Sequence, residues 1–108
     1  MESKFDYKLV DKAVSDLNGI VLYITNELCN PQAASKFIDK LANKIEDIRI
    51  YPESGSPVHN EFLENIRKQI VGNYIMYYYP DMDNRIIYIL RIVYAKRDMN
   101  EILIKLSI

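Results

Sequence analysis

Cysteine and histidine are nearly missing from this chain: its 108 residues hold one of each, Cys29 and His59. A lone cysteine makes no internal disulfide, and one Cys with one His cannot build a zinc site, so no structural metal and no cofactor is expected. Distributed histidine catalysis is excluded by the same count. Nucleophilic catalysis by Cys29 would need His59 as its base. Cys29 falls on the apolar side of a helix end and reads as a buried thiol, while His59 reads as an ordinary loop histidine. Glycine is scarce, at three residues, and no G-x-x-x-x-G-K-[ST] or G-x-G-x-x-G phosphate loop occurs, nor any H-E-x-x-H. No apolar run approaches the roughly 18 residues of a membrane span. The opening MESKFDYKLV has acids and no apolar stretch, unlike a secretory leader. The expected setting is the reducing cytoplasm.

What is present suits one globular domain spanning residues 1–108. Apolar residues make up 49% and charged residues 27%, which excludes a disordered or fibrous chain. The net charge of −1 conceals an asymmetry. Residues 1–65 carry seven Lys/Arg against eleven Asp/Glu, whereas residues 66–108 carry seven against four. The C-terminal part is therefore the basic one, fit to meet a polyanion or an acidic partner.

Hydrophobic spacing sets out the elements. FDYKLV, from Phe5 to Val10, alternates as a short strand. Asp11 is placed to cap a helix whose stripe runs Val14, Leu17, Val21, Ile24 and Leu28. Gly19 lies inside that helix. Asn30 and Pro31 supply an N-cap and a first helical residue for a second helix, with Ala34, Phe37, Ile38, Leu41, Ile45 and Ile48 on its apolar face. So short a break predicts an antiparallel helical hairpin. YPESGSPVH, from Tyr51 to His59, reads as a turn-rich connection. Ile66–Val71 and Tyr74–Tyr79 flank Gly72-Asn73 as a β-hairpin, Pro80 to Asn84 read as a turn, and Ile86–Ala95 reads as a central strand. Asp98 with Glu101 resembles a capping box opening a short last helix to Ser107. The predicted class is α+β: an N-terminal strand, a helical hairpin packed on a mainly antiparallel four-stranded sheet, and a short C-terminal helix.

The side chains left to carry chemistry are basic: Arg67, Lys68, Arg85, Arg91, Lys96 and Arg97. Strict alternation sets Arg91 beside Ile87, Ile89 and Val93, opposite Tyr88, Leu90, Ile92 and Tyr94. It sets Tyr77 with Ile75 and Tyr79. The hairpin covers one sheet face, so the other is expected to be open. Arginines and tyrosines there suit base stacking with phosphate clamping, or anchoring of a protein partner. Periodicity alone favours the plainer reading, in which the tyrosines fill core and edge and the cations form a solvated face.

The stretch from Arg67 to Leu103 resembles the RelE/ParE family of type II toxin–antitoxin toxins. The shared elements are Arg67, Val71-Gly72-Asn73-Tyr74, the aromatic strand Tyr77–Tyr79, the acidic turn Asp81–Asn84, Ile89-Leu90-Arg91-Ile92 and Lys96-Arg97-Asp98. Upstream, Asn30-Pro31 with Ala33-Ala34, and Pro52-Glu53-Ser54-Gly55, also fit. The resemblance implies a growth-inhibiting toxin that forms a hetero-oligomer with a cognate antitoxin. RelE-like members are ribosome-dependent, metal-free mRNA endonucleases in which basic residues stabilise transition-state charge. On that reading Arg97 and Arg67 would be catalytic, with Lys68, Arg91, Lys96 and Tyr77 binding target or nucleic acid. Here Ile75 and Leu103 stand where such nucleases carry an arginine and a tyrosine. ParE-like members instead poison DNA gyrase, and the run ILRIVYAKRD is closer to theirs. The resemblance further implies that Arg91, Lys96, Arg97, Ile102 and Leu106 meet the antitoxin. A non-toxic interaction module of the same fold is the third alternative.

Overall fold

The computed structural model describes residues 3–96. In chain order these form β1 (Asp6–Leu9), α1 (Asp11–Leu22), a π-helical turn (Tyr23–Glu27), α2 (Pro31–Ile50), β2 (Ser56–Val58), β3 (Ile66–Val71), β4 (Tyr74–Asp81) and β5 (Ile86–Tyr94). One sheet holds every strand in the order β1-β5-β4-β3-β2. β1 runs parallel to β5, and the remaining pairs are antiparallel. The α+β class and the hairpin-on-sheet layering agree with the pattern in the sequence. The last predicted helix, Asp98 to Ser107, lies outside the described residues. No described helix is long and apolar enough to cross a membrane.

Local chemistry explains the hairpin. Asn30 caps α2 by accepting the Ala33 N–H at 3.1 Å, and Pro31 occupies the first turn, where its missing N–H costs nothing. α1 starts differently from expectation. Val10 is its cap, with no side-chain hydrogen bond, and Asp11 is instead the first helical residue, where the helix dipole favours its charge. The reversal between the helices turns at Cys29, whose φ of 49° is left-handed. That conformation lifts Cys29 out of the helical stripe, so its thiol is exposed rather than buried.

The sheet has five strands, one more than the hydrophobic pattern implied. The extra strand is β2, drawn from the turn-rich connection. Its pairing with β3 sets Pro57 opposite Arg67 on the sheet's edge, the place where a strand proline is tolerated. β4 also runs past the expected turn, through Pro80 and Asp81. Its register with β3 ends at Tyr78, so the proline's missing N–H falls where β3 offers no partner. Asp81 then closes the turn by accepting from the backbone and side chain of Asn84, at 3.1 and 2.8 Å.

The main core lies between hairpin and sheet. Ala13, Ile20 and Ile24 from the first helical stretch, with Phe37, Leu41, Ile45 and Ile48 from α2, pack on Met76, Tyr78, Ile87, Ile89 and Ile92. Full burial of each large apolar side chain contributes about 1.5–3 kcal/mol before entropy is counted. The opposite sheet face, which the sequence pattern leaves open, is partly covered. Ile66, Tyr77, Leu90 and Val93 form a second cluster there, flanked by Val10, Val58 and Leu63.

Candidate functional site

Pro52-Glu53-Ser54-Gly55 is a turn held by side chains of the sheet. The Gly55 N–H donates to the phenol oxygen of Tyr78 at 2.9 Å. Arg67, the register partner of Tyr78 on β3, reaches under the same turn. Its guanidinium donates to the carbonyls of Glu53 (2.9 Å) and Gly55 (2.8 Å) and to Asn65 Oδ1 (3.0 Å), with the Glu53 carboxylate at 3.4 Å. Arg67 is thus a strut fastening the turn to the sheet. Lys68, one residue on, pairs in register with Tyr77 and lies on the opposite face. The two neighbouring cations therefore do not converge.

Arg91 departs from the alternation read in the sequence. The register steps from Tyr77↔Arg91 to Tyr78↔Ile89, leaving Leu90 as an extra, bulged residue. Ile87, Ile89 and Ile92 consequently face the hairpin, while Leu90 and Val93 enter the second cluster. Arg91 does not share an open face with Ile87 and Ile89. It forks onto Asp16 of α1, Nε at 2.7 Å and Nη2 at 3.0 Å, and the same carboxylate accepts the Ile92 N–H at 3.0 Å. Only 15% and 16% of these two side chains are exposed. The hydrogen bonds to Asp16 raise the Arg91 pKa further, outweighing the cost of burial. Asp16 covers β5 where β1 has ended, so α1 seals that strand edge.

Tyr77, assigned to target or nucleic-acid binding, is 2% exposed and shows no ring face to solvent. Burial pushes its phenol pKa up. Lys96 is exposed just past β5. Arg97, Ile102 and Leu106 lie outside the described residues. His59 is exposed in the connection before β3. The tertiary structure thus sets Arg67 on the face opposite Lys68 and Arg91, which flank Tyr77 in one register row, and leaves Lys96 just past the end of β5.

Sequence reasoning missed a groove between the hairpin and the Gly72-Asn73 end of the sheet. Its volume is about 950 Å³, and it is lined by Gly19, Ile20, the π-helical turn, α2, and the ends of β4 and β5. An aromatic row crosses it. Phe37 meets Tyr74 edge-on with ring centres 5.0 Å apart, and Tyr74 meets Tyr94 edge-on at 5.7 Å. Burial raises the Tyr74 pKa, and the neighbouring Tyr23 and Tyr94 add to the rise. Lys36 and Lys40, one helical turn apart on α2, stand along the groove. Two signals were available in the sequence: the i, i+4 lysines, and a glycine inside a helix with no turn to make.

A two-helix hairpin on one face of a five-stranded sheet, its first strand parallel and the rest an antiparallel run, is the RelE/ParE toxin fold. Two solved structures share it at an identity that speaks for fold alone. The chromosomal ParDE toxin–antitoxin system from P. aeruginosa superposes with a TM-score of 0.67 at 19% identity, covering 86% of this chain and 98% of that one. The RelBE2 toxin–antitoxin complex from Mycobacterium tuberculosis gives 0.60 at 18%, covering 85% and 99%. No curated protein sequence matches the chain. The family model of the ParE toxin of the type II toxin–antitoxin system parDE matches residues 7–99, and the chain belongs to that family.

Proposed function

We propose that this chain is the growth-inhibiting toxin of a type II module, neutralised by a cognate antitoxin, and that it poisons DNA gyrase rather than cutting mRNA. The observation that carries the choice is where the arginine forks go. Metal-free cleavage needs cations converging on one phosphate as charge develops there. Arg67 spends its donors on the Glu53–Gly55 turn and Asn65, and Arg91 spends its own on Asp16. Lys68 lies on the face opposite Arg67, in the same register row as Tyr77 and Arg91, whose guanidinium is already held by Asp16. Inhibition through a protein contact requires no such convergence. The family match to ParE and the likeness to a ParDE system support the same reading. An antitoxin partner is supported by both solved relatives being toxin–antitoxin systems.

On this reading Lys96 and Arg97, following the end of β5, form the contact pair. Replacing both with alanine is expected to abolish growth arrest while leaving the thermal midpoint unchanged. The deciding experiment induces the wild-type chain in bacteria and follows growth, mRNA integrity and DNA supercoiling together. Arrest with altered supercoiling and intact mRNA is the expected result. Arrest with mRNA cut only during translation would overturn the gyrase reading, and no arrest would reduce the chain to an interaction module.

A further inference from the structure

Lysine recurs at every fourth residue along the middle of α2, at Lys36, Lys40 and Lys44. That spacing sets the three in a row on one flank of the helix, successive members about 6 Å apart along its axis. The flank faces the Gly72-Asn73 end of the sheet. Lys36 and Lys40 line the groove there, while Lys40 and Lys44 line a smaller adjoining hollow of about 180 Å³ that shares Gly72 with it. The turn opposite leaves the flank open: a side chain built on Gly72 would meet nothing within 4 Å.

The charge of this row is unspent. Among the described residues none of the three lysines has an ion-pair partner. Two acids line the hollows: Asp16 is taken up by Arg91, and Asp47 stands at the far end of the row, beyond Lys44. Glu46 is held by Lys4 and Arg49. β5 adds a cation at the groove end, where the Ala95 N–H donates to the Asn73 carbonyl at 2.9 Å and the exposed Lys96 follows. A positive band thus runs from the end of β5 along α2. Its shape favours a phosphate backbone over an acidic protein segment. The rings of Phe37, Tyr74 and Tyr94 stop at the groove, whereas the row runs on to Lys44 beside the amide of Asn43. Regularly spaced ammonium and amide donors without an apolar complement are the groups that position a protein on phosphates. Those rings meet edge-to-face and spend their faces on one another, so unpaired bases find no stacking platform and a duplex is the better fit.

We propose that the Lys36, Lys40 and Lys44 row, continued by Lys96, grips the sugar–phosphate backbone of duplex DNA without reading its sequence, so that the chain contacts the DNA its target enzyme handles. The choice of DNA rests on the gyrase reading, but the test needs only the full-length chain and DNA. A short labelled duplex of mixed sequence is titrated with the chain by fluorescence anisotropy over a series of salt concentrations. Each phosphate neutralised adds about 0.9 to the slope of log K against log salt, so the wild-type slope is expected to be about −3 or steeper. The triple variant Lys36→Gln/Lys40→Gln/Lys44→Gln is expected to make that slope shallower by about 2.7. Its affinity at low salt should fall about tenfold or more, equally on duplexes of different sequence. Lys36→Arg/Lys40→Arg/Lys44→Arg, which keeps the charges, retains binding. Lys8→Gln/Lys12→Gln, on exposed lysines away from α2, keeps the wild-type slope. No binding by the wild-type chain, or an unchanged slope in the glutamine variant, would overturn the proposal. Tighter binding of an RNA duplex or of poly-glutamate than of DNA would overturn it too. Altered supercoiling in cells without DNA binding by the chain sinks the lysine row and leaves the gyrase reading standing; DNA binding through the row with supercoiling unaltered does the reverse.

Discussion

Gly55 has no room for a methyl group. A Cβ there would lie 2.6 Å from both the Lys68 carbonyl oxygen and the Tyr78 phenol oxygen. Both are held in the sheet, so the turn would have to move and release the bonds from Arg67. Gly55→Ala is therefore expected to cost about 1–3 kcal/mol, read as a lower urea midpoint; a wild-type midpoint would count against the strut. Asp16 is the second such position. Its loss would leave the Arg91 guanidinium largely buried without a counter-charge and the Ile92 N–H without an acceptor. Asp16→Ala is expected to destabilise by about 2–4 kcal/mol. Combining it with Arg91→Met should recover much of that, because an apolar replacement of the whole pair removes the unpaired charge. If the double variant is no more stable than the single one, the loss comes from the strand edge and not from the arginine. None of these roles is visible in the residue types. A glycine in a turn and a lone Asp on a helix have many uses, and which one applies depends on what lies across the fold.

At the scale of elements, the helices and the β-hairpin were legible because their signals are local. Asn30-Pro31 fixes the start of α2, and Gly72, at φ 60°, fixes the β3–β4 turn. Five of the six apolar residues assigned to the face of α2 are buried, and Ile38 remains 44% exposed. β2 and the Leu90 bulge were not legible. A three-residue edge strand containing proline has no intrinsic strand preference and exists because β3 offers a free edge. The bulge is a property of the β4–β5 pairing, and it undid the alternation on which the placement of Arg91 rested. Gly19 gives the prediction that belongs here. Its Cβ position is open, so Gly19→Ala should raise the stability of α1 by about 0.5–1 kcal/mol, seen as a higher thermal midpoint. A lower midpoint would mean that the glycine is needed for packing.

For the whole molecule, tyrosines packed in both cores give stability an alkaline limit. Burial raises the pKa of Tyr74, Tyr77 and Tyr78 above the ordinary value of 10.0. Tyr74 and Tyr78 belong to the hairpin side, and Tyr77 to the opposite cluster. The folded state holds these phenols neutral while the unfolded chain ionises them near 10.0. Their contribution is complete below that pH and is lost as pH rises through the raised folded values. The urea midpoint is therefore expected to fall above pH 10.0, with tyrosinate absorbance appearing together with unfolding. Ionisation of all nine tyrosines in a chain that stays folded would refute this. The sequence by itself determined the α+β class, the hairpin, the order of most elements and the family resemblance, because each depends on spacing or short motifs read along the chain. Only the tertiary structure decided that Arg67 braces a turn, that Arg91 closes on Asp16, and that Tyr23, Lys36, Tyr74 and Tyr94 share one groove. A side chain's charge is written in the sequence, but its availability depends on partners brought from distant positions by packing and register.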